Sequence, residues 1–126
     1  MRALQARLAG HRVSFGHWTF LRILWQRDGL TQRELSDQAG VMEPSTYAAI
    51  KAMEALGYVR RRQTPANRKN VYVHLTPRGR ALERRLVPLA EEVNALALRG
   101  VRAADIRTAR RTLLAIIANL MKNSSP

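Results

Sequence analysis

The chain contains no cysteine and only three histidines among its 126 residues. The missing thiols exclude disulfides, thiol redox chemistry, cysteine-ligated zinc and a cysteine nucleophile. The histidines have no spacing typical of a metal site, so we predict neither a metal nor a cofactor. No apolar run approaches the roughly 20 residues that a membrane span needs, and the first ten residues, interrupted by Arg2 and Arg7, do not resemble a signal peptide. These absences favour a cytoplasmic protein without a membrane partner.

Acidic residues are scarce as well. Nine Asp and Glu stand against 22 Lys and Arg, which gives a formal net charge of +13. The basic residues are nearly all arginine, whose planar guanidinium suits phosphate contacts. This excess favours a polyanionic partner, nucleic acid before anionic membrane; the alternative is an arginine-rich composition with a merely solvated surface. The sequence shows no nucleophile–base pair, carboxylate dyad or phosphate-cradling glycine loop, so we predict that the chain is not an enzyme.

Two short helices joined by a glycine turn are predicted in the first half of the chain. The first, over residues 32–38, starts with a capping box, in which the side chains of Thr31 and Glu34 each bond to the other residue's backbone. The second, over residues 44–56, has Pro44 in its first turn, where a missing N–H does no harm. Its predicted inward stripe is Ala49, Ile50, Met53 and Leu56.

A basic β-hairpin is predicted directly after these helices. Residues 58–63 and 70–75 read as strands, the second because its apolar residues alternate with polar ones, and the turn-rich, basic segment 64–69 lies between them. The pattern indicates a helix-turn-helix followed by a wing. We therefore predict a mainly α fold with a small β-hairpin wing, a single domain over residues 1–126. Further helices are predicted over residues 3–9, 15–27, 77–98 and 103–121.

Four short motifs accompany this order of elements. They are Leu30-Thr31-x-x-Glu34-Leu35-Ser36, Ser45-Thr46, Glu54-Ala55-Leu56-Gly57-Tyr58-Val59-x-Arg61 and Leu75-Thr76-Pro77-x-Gly79. Together, the order and the motifs resemble the MarR family of bacterial transcriptional regulators over about residues 14–121. The resemblance implies a winged helix-turn-helix flanked by N- and C-terminal dimerisation helices, with a DNA-binding lobe at about 28–76 and dimerisation helices at about 1–13 and 77–121. It also implies a homodimer on a pseudo-palindromic operator.

Two departures from the family pattern stand out. The wing of the family usually carries a paired Asp and Arg, and Asn67 and Lys69 occupy those positions here. The wing is therefore expected to be more mobile or to be held differently. The first helix is also short for the family, which leaves open a chain that starts late or a trimmed dimer interface.

The second helix of the motif is expected to enter the major groove of DNA, with its N-terminal part nearest the bases. The start of the first helix would contact phosphate, and the wing tip would reach a minor groove. An arginine cluster at positions 78, 80, 84 and 85 lies either near phosphate or over the core. The predicted DNA contacts are Gln32, Arg33, Pro44, Ser45, Thr46, Tyr47, Ala48, Lys51, Arg62, Arg68 and Lys69.

The predicted function is that of a sequence-specific regulator of transcription, a repressor that binds double-stranded DNA as a homodimer. The resemblance implies release by a small aromatic or anionic ligand, in a pocket bordered by His11, Arg12, His17 and Trp18; the alternative is core packing for Trp18 and solvent for the others. A second hypothesis is a sequence-independent architectural nucleic-acid-binding protein, because the recognition face is poor in Arg and Asn. A third is a helical module that binds another protein.

Overall fold

The computed structural model describes residues 2–123, which form six helices and a three-stranded antiparallel sheet. The fold is mostly helical with a small wing, so the predicted winged-helix class is confirmed. None of the helices in this range combines the length and apolar character needed to cross a membrane. The helices are α1 (Arg2–Ala9), α2 (Phe15–Gln26), α3 (Gln32–Ala39), α4 (Glu43–Ala55), α5 (Pro77–Ala97) and α6 (Ala103–Asn123), and the strands are β1 (Leu30–Thr31), β2 (Val59–Thr64) and β3 (Asn67–Leu75).

The start of α3 is fixed by the predicted capping box. The hydroxyl of Thr31 accepts a hydrogen bond from the backbone N–H of Glu34 at 3.1 Å, and the Glu34 carboxylate accepts one from the N–H of Thr31 at 3.0 Å. The helix ends at Gly40, whose φ of 69° lies in the left-handed region that favours glycine. The turn between α3 and α4 is thus determined by local chemistry at both of its ends.

The sheet contains a strand that the sequence did not predict. Residues Leu30 and Thr31 form β1 and pair with Val73 and Tyr72 of β3, which gives the order β1-β3-β2. A strand of two residues is too short for an alternating pattern, and one of the two also serves as the N-cap of α3. This pairing ties the entrance of the helix-turn-helix to the wing.

The prediction that residues 64–69 form the turn of the wing is wrong at both ends of that segment. Thr64 pairs with Asn67, so the turn is only Pro65 and Ala66 and the positions from Asn67 to Lys69 belong to β3. A two-residue connection lets antiparallel pairing reach the tip, but the register shifts between Arg62 and Thr64. Polar residues had masked the start of this strand in the sequence. The wing is longer than expected and has an irregularity near its tip.

The described residues divide into two compact units between Glu91 and Glu92. In the first unit, Ile50 and Met53 of the predicted α4 stripe are fully buried, but Ala49 and Leu56 are only partly so. In the second unit, α6 has no buried residue. The fully buried large side chains of the first unit include Leu8, Leu21, Leu24, Leu35, Tyr58, Val59, Val73 and Leu86.

The start of α5 packs closely against the start of β2. The hydroxyl of Thr76 accepts a hydrogen bond from the backbone N–H of Gly79 at 3.0 Å, which caps the helix. A Cβ at position 79 would overlap the backbone carbonyl of Tyr58, so only glycine allows this approach. The indole N–H of Trp25 donates to the carbonyl of Gly79 at 3.0 Å, and the ring of Trp18 lies edge-on to that of Trp25 with centroids 5.6 Å apart.

Candidate nucleic-acid interface

Helix α4 has an exposed outer face formed mostly by small side chains. Its buried residues Thr46, Ile50 and Met53 lie on one side, and the helical spacing of about 3.6 residues puts the exposed positions on the other. The exposed residues on that side are small, apart from one lysine. They are Pro44, Ser45, Ala48, Lys51, Ala52 and Ala55.

The structure places Thr46 in the core, unlike its neighbours. Its side chain is fully buried, and its hydroxyl accepts a hydrogen bond from the Ser36 hydroxyl at 2.7 Å. The same hydroxyl lies 3.5 Å from the carbonyl of Met42, to which it can donate. Thr46 therefore joins α4 to α3 and is not available to a ligand at the surface, whereas Ser45 beside it is exposed.

Tyr47 stands at the edge of the outer face between two cations. The Lys51 ammonium lies 5.9 Å from the centre of its ring and the Arg61 guanidinium carbon 5.5 Å. Arg61 is in turn held by Glu54: its backbone N–H and its Nε each donate to the carboxylate at 3.1 Å. These bonds to Arg61 hold the pKa of the Glu54 carboxyl below its ordinary value. The sequence did not predict this cluster, which joins α4 to β2.

The wing carries the exposed cations Arg62, Arg68 and Lys69. The side-chain amide of Gln63 donates to the carbonyl of Arg68 at 2.8 Å across the hairpin. This bond supports the tip where the family pattern would have an Asp–Arg pair. The sequence left open a more mobile wing or one that is held by other contacts than the Asp–Arg pair. The bond between Gln63 and Arg68 favours the second.

The starts of α3 and α4 meet the wing at a cleft of about 330 Å³. Gln32, Arg33 and Lys69 line it, so three predicted DNA contacts come together. Arg33 is exposed, but the side-chain oxygen of Gln32 is buried and has no hydrogen-bond partner among residues 2–123. Glu43 also lines the cleft and was not predicted; an acid in the first turn of a helix is favoured by the helix dipole.

A second cleft, of about 390 Å³, lies where the α1–α2 connection faces α5. Two of the four predicted ligand residues, His11 and Arg12, line it. Arg78 and Arg85 line it as well, with the Arg78 guanidinium 5.8 Å from the centre of the Tyr58 ring. Arg12 has a φ of 60°, an unusual backbone conformation for a side chain with a Cβ. The cleft is basic, with three arginines in its lining.

The other two predicted ligand residues do not line this cleft. Trp18 is buried in the core, as the packing alternative expected. His17 is half-buried, and burial lowers the pKa of its imidazole because it disfavours the charged form. Of the arginine cluster that opens α5, Arg80 pairs with Asp28 at 3.1 Å. Among residues 2–123, no group of three or more His, Cys, Asp or Glu side chains is placed to hold a metal ion.

Comparisons with known proteins agree with this architecture. A model of the MarR family matches residues 13–71. The HTH-type transcriptional regulator TtmR of Methylorubrum extorquens is 27% identical over 95 residues, which are 75% of this chain and 49% of that protein. This chain thus matches about half the length of that relative.

Solved structures extend the likeness to nearly the whole chain. A MarR transcriptional regulator from Methanosarcina mazei superposes with a TM-score of 0.88 at 25% identity, covering 95% of this chain and 86% of that one. A MarR-family regulator from Listeria monocytogenes, crystallised with 26-mer DNA, gives a TM-score of 0.84 at 23% identity, covering 95% and 80%. At that identity the Listeria protein is comparable in fold alone.

Proposed function

Since this chain belongs to the MarR family of transcriptional regulators, we propose that it binds a pseudo-palindromic operator in duplex DNA as a homodimer and represses transcription in the cytoplasm. The observation that carries this proposal is the exposed outer face of α4, which is followed in the chain by a basic β-hairpin wing. A helix of this kind fits the major groove of B-DNA. The fold relative from Listeria was crystallised with DNA.

The charge of the surface supports a DNA partner. Arg33 at the start of α3, Lys51 on α4, and Arg62, Arg68 and Lys69 on the wing are all exposed. Cations on three separate elements can neutralise phosphates on both sides of a groove, and the release of counterions then favours binding. Ser45, the exposed hydroxyl in the first turn of α4, can donate to a phosphate or a base.

A homodimer is supported by the apolar side of α6. Leu113, Ile116 and Ile117 are 60%, 49% and 50% exposed, and they recur at helical spacing. Apolar side chains that cluster in this way mark a protein contact surface. Light scattering during gel filtration tests the assignment: Leu113→Asp should give a monomer at micromolar concentration, whereas Arg107→Ala, on the same helix, should remain dimeric.

Release by an anionic ligand is supported by the basic cleft. His11, Arg12, Arg78 and Arg85 would attract a carboxylate, and the ring of Tyr58 adds an aromatic surface. Benzoate, as a probe, should weaken DNA binding by the wild type and have much less effect on Arg85→Ala. A ligand of this kind acts only if it binds the DNA-free state more tightly than the DNA-bound state.

The experiment that tests the central proposal is selection of bound duplexes from a random pool at near-physiological salt. Enrichment of an inverted repeat with half-sites about one helical turn apart is the expected result. The second candidate, a sequence-independent architectural protein, is favoured by the lack of Arg, Asn and Gln on α4. Tight, salt-sensitive binding without an enriched motif would support that candidate and overturn the operator model.

A further inference from the structure

The exposed apolar side chains of the first unit are concentrated in one stretch of the chain. The large apolar residues that stay strongly exposed in its described part are Val41 at 40%, Met42 at 77% and Tyr47 at 46%. All three fall within seven consecutive positions, at the end of the turn, the N-cap and the second turn of α4. Exposed apolar surface that clusters in this way marks a binding surface.

The outer face of α4 continues this apolar surface. Ala48 and Ala52 are exposed one turn apart, next to Tyr47 and Lys51. The whole helix, EPSTYAAIKAMEA, contains no Arg, Asn or Gln, and those are the side chains that pair with guanine or adenine through two hydrogen bonds. Among the exposed side chains of α4, hydrogen-bonded reading of bases is therefore limited to Glu43, Ser45, Lys51 and the hydroxyl of Tyr47.

One feature of the major groove matches an apolar surface. Each thymine displays its C5-methyl group there, and apolar side chains recognise it by contact. Cations border the patch at Tyr47: the Lys51 ammonium lies 5.9 Å from the centre of its ring, and Arg62 lines a cleft together with it. The partner is therefore a polyanion with apolar groups rather than an apolar protein surface. Short alanine side chains also allow the backbone of α4 to lie close to the base edges.

Resting on the proposed operator binding, we propose that Met42, Tyr47, Ala48 and Ala52 form a thymine-reading surface. The half-site is then recognised through the methyl groups of thymines in contact with α4, with Ser45 and Lys51 as the polar supplement. Specificity comes from the positions of methyl groups, and the wing and α3 supply affinity that does not depend on sequence.

The test replaces single thymines of the selected operator by deoxyuridine, which removes the methyl group and leaves base pairing and charge unchanged. We expect the affinity to fall by about fourfold for each methyl group buried by α4. Thymines outside the half-sites are the internal control and should show no change. In Met42→Ala, the effect of one such replacement should disappear, whereas Gln26→Ala, at the end of α2, should retain every effect.

The outcomes separate the inference from the function on which it rests. A selected site whose uridine versions bind as tightly as the thymine version would overturn the thymine-reading surface and leave the operator model intact. Failure to select any site would overturn the operator model and the inference with it. Loss of affinity at half-site thymines that is abolished by Met42→Ala would establish the contact.

Discussion

Thr46 and Ser45 allow a structural role to be distinguished from a DNA-contacting role by mutation. They are adjacent in sequence, but Thr46 is buried in the core and Ser45 is exposed. Replacing Thr46 by valine keeps the shape and removes the hydroxyl. The single hydroxyl proton of Ser36 can then turn to the carbonyl of Gln32, which lies 3.0 Å away, so no buried donor is left without a partner. The main loss is the hydrogen bond with Ser36, which is about 1 kcal/mol of the free energy of unfolding. The long contact with the carbonyl of Met42 is lost as well, but that carbonyl keeps the backbone N–H of Thr46 at 3.2 Å.

The expected readout of Thr46→Val is a small loss of stability with unchanged DNA binding. For a chain of this size, about 1 kcal/mol lowers the melting temperature by about 4 °C, which circular dichroism resolves easily. In a double-mutant cycle with Ser36→Ala, the two changes should be non-additive by about 1 kcal/mol, since both remove the same bond.

Ser45→Ala is the matched control for this prediction. Ser45 is exposed, so its replacement should leave the free energy of unfolding within about 0.5 kcal/mol of the wild type and weaken binding to the selected operator. If Thr46→Val instead weakened DNA binding and left the melting temperature unchanged, the buried placement of Thr46 would be refuted.

Three further predictions concern packing, pH and salt. Gly79→Ala should lower the free energy of unfolding by at least about 2 kcal/mol, because its Cβ meets a backbone carbonyl. Gly16→Ala, in α2, would make only an ordinary contact with the Ser14 hydroxyl at 3.9 Å and should raise the free energy of unfolding by about 0.5 kcal/mol. Urea titrations measure both, and equal effects would contradict the close approach at Gly79. Glu54→Gln should lower stability by less than about 1 kcal/mol at pH 7. Because the folded pKa of Glu54 is lowered, the pair with Arg61 stabilises fully above the ordinary Glu pKa of about 4.3. The difference between variant and wild type should therefore vanish as the pH falls through the folded pKa, and a difference that persists there would argue against the pair. Arg68→Ala should reduce the slope of log affinity against log salt by about 0.9, equally on the operator and on unrelated duplexes; a loss confined to the operator would indicate a base contact instead.

Local signals in the sequence predicted the framework of the helix-turn-helix. Thr31 and Glu34 lie three positions apart, and the bonds of a capping box depend on nothing beyond one turn of helix. The strand formed by Leu30 and Thr31 depends instead on Val73 and Tyr72, more than 40 positions away, and no local pattern reports such a partner. The start of β3 was missed for the same reason. Pairing with Thr64 favours an extended backbone at Asn67, whereas the residue by itself prefers a turn.

In the candidate site, too, features set by local sequence could be predicted, and features set by distant contacts could not. The exposed face of α4 could be predicted from helical spacing, but the burial of Thr46 could not, since a threonine near a helix start is usually exposed or capping. The contact between Glu54 and Arg61 depends on how β2 lies against α4, which the sequence does not report. Strand alternation did indicate that Arg61 points to the face opposite to Arg60 and Arg62. In the basic cleft, Arg78 and Arg85 join His11 only through tertiary folding.

The hydrogen bond from the Trp25 indole to Gly79 links the intrinsic tryptophan fluorescence of the protein to the start of α5. Indole emission responds to the polarity and hydrogen bonding of its surroundings, and both tryptophans of the chain, Trp18 and Trp25, sit in one edge-on pair. The bond ends on the first turn of α5, the turn that also carries the cleft residue Arg78. If benzoate occupies the cleft as proposed, it should change the tryptophan emission of the unlabelled protein, and this titration requires neither DNA nor knowledge of the operator.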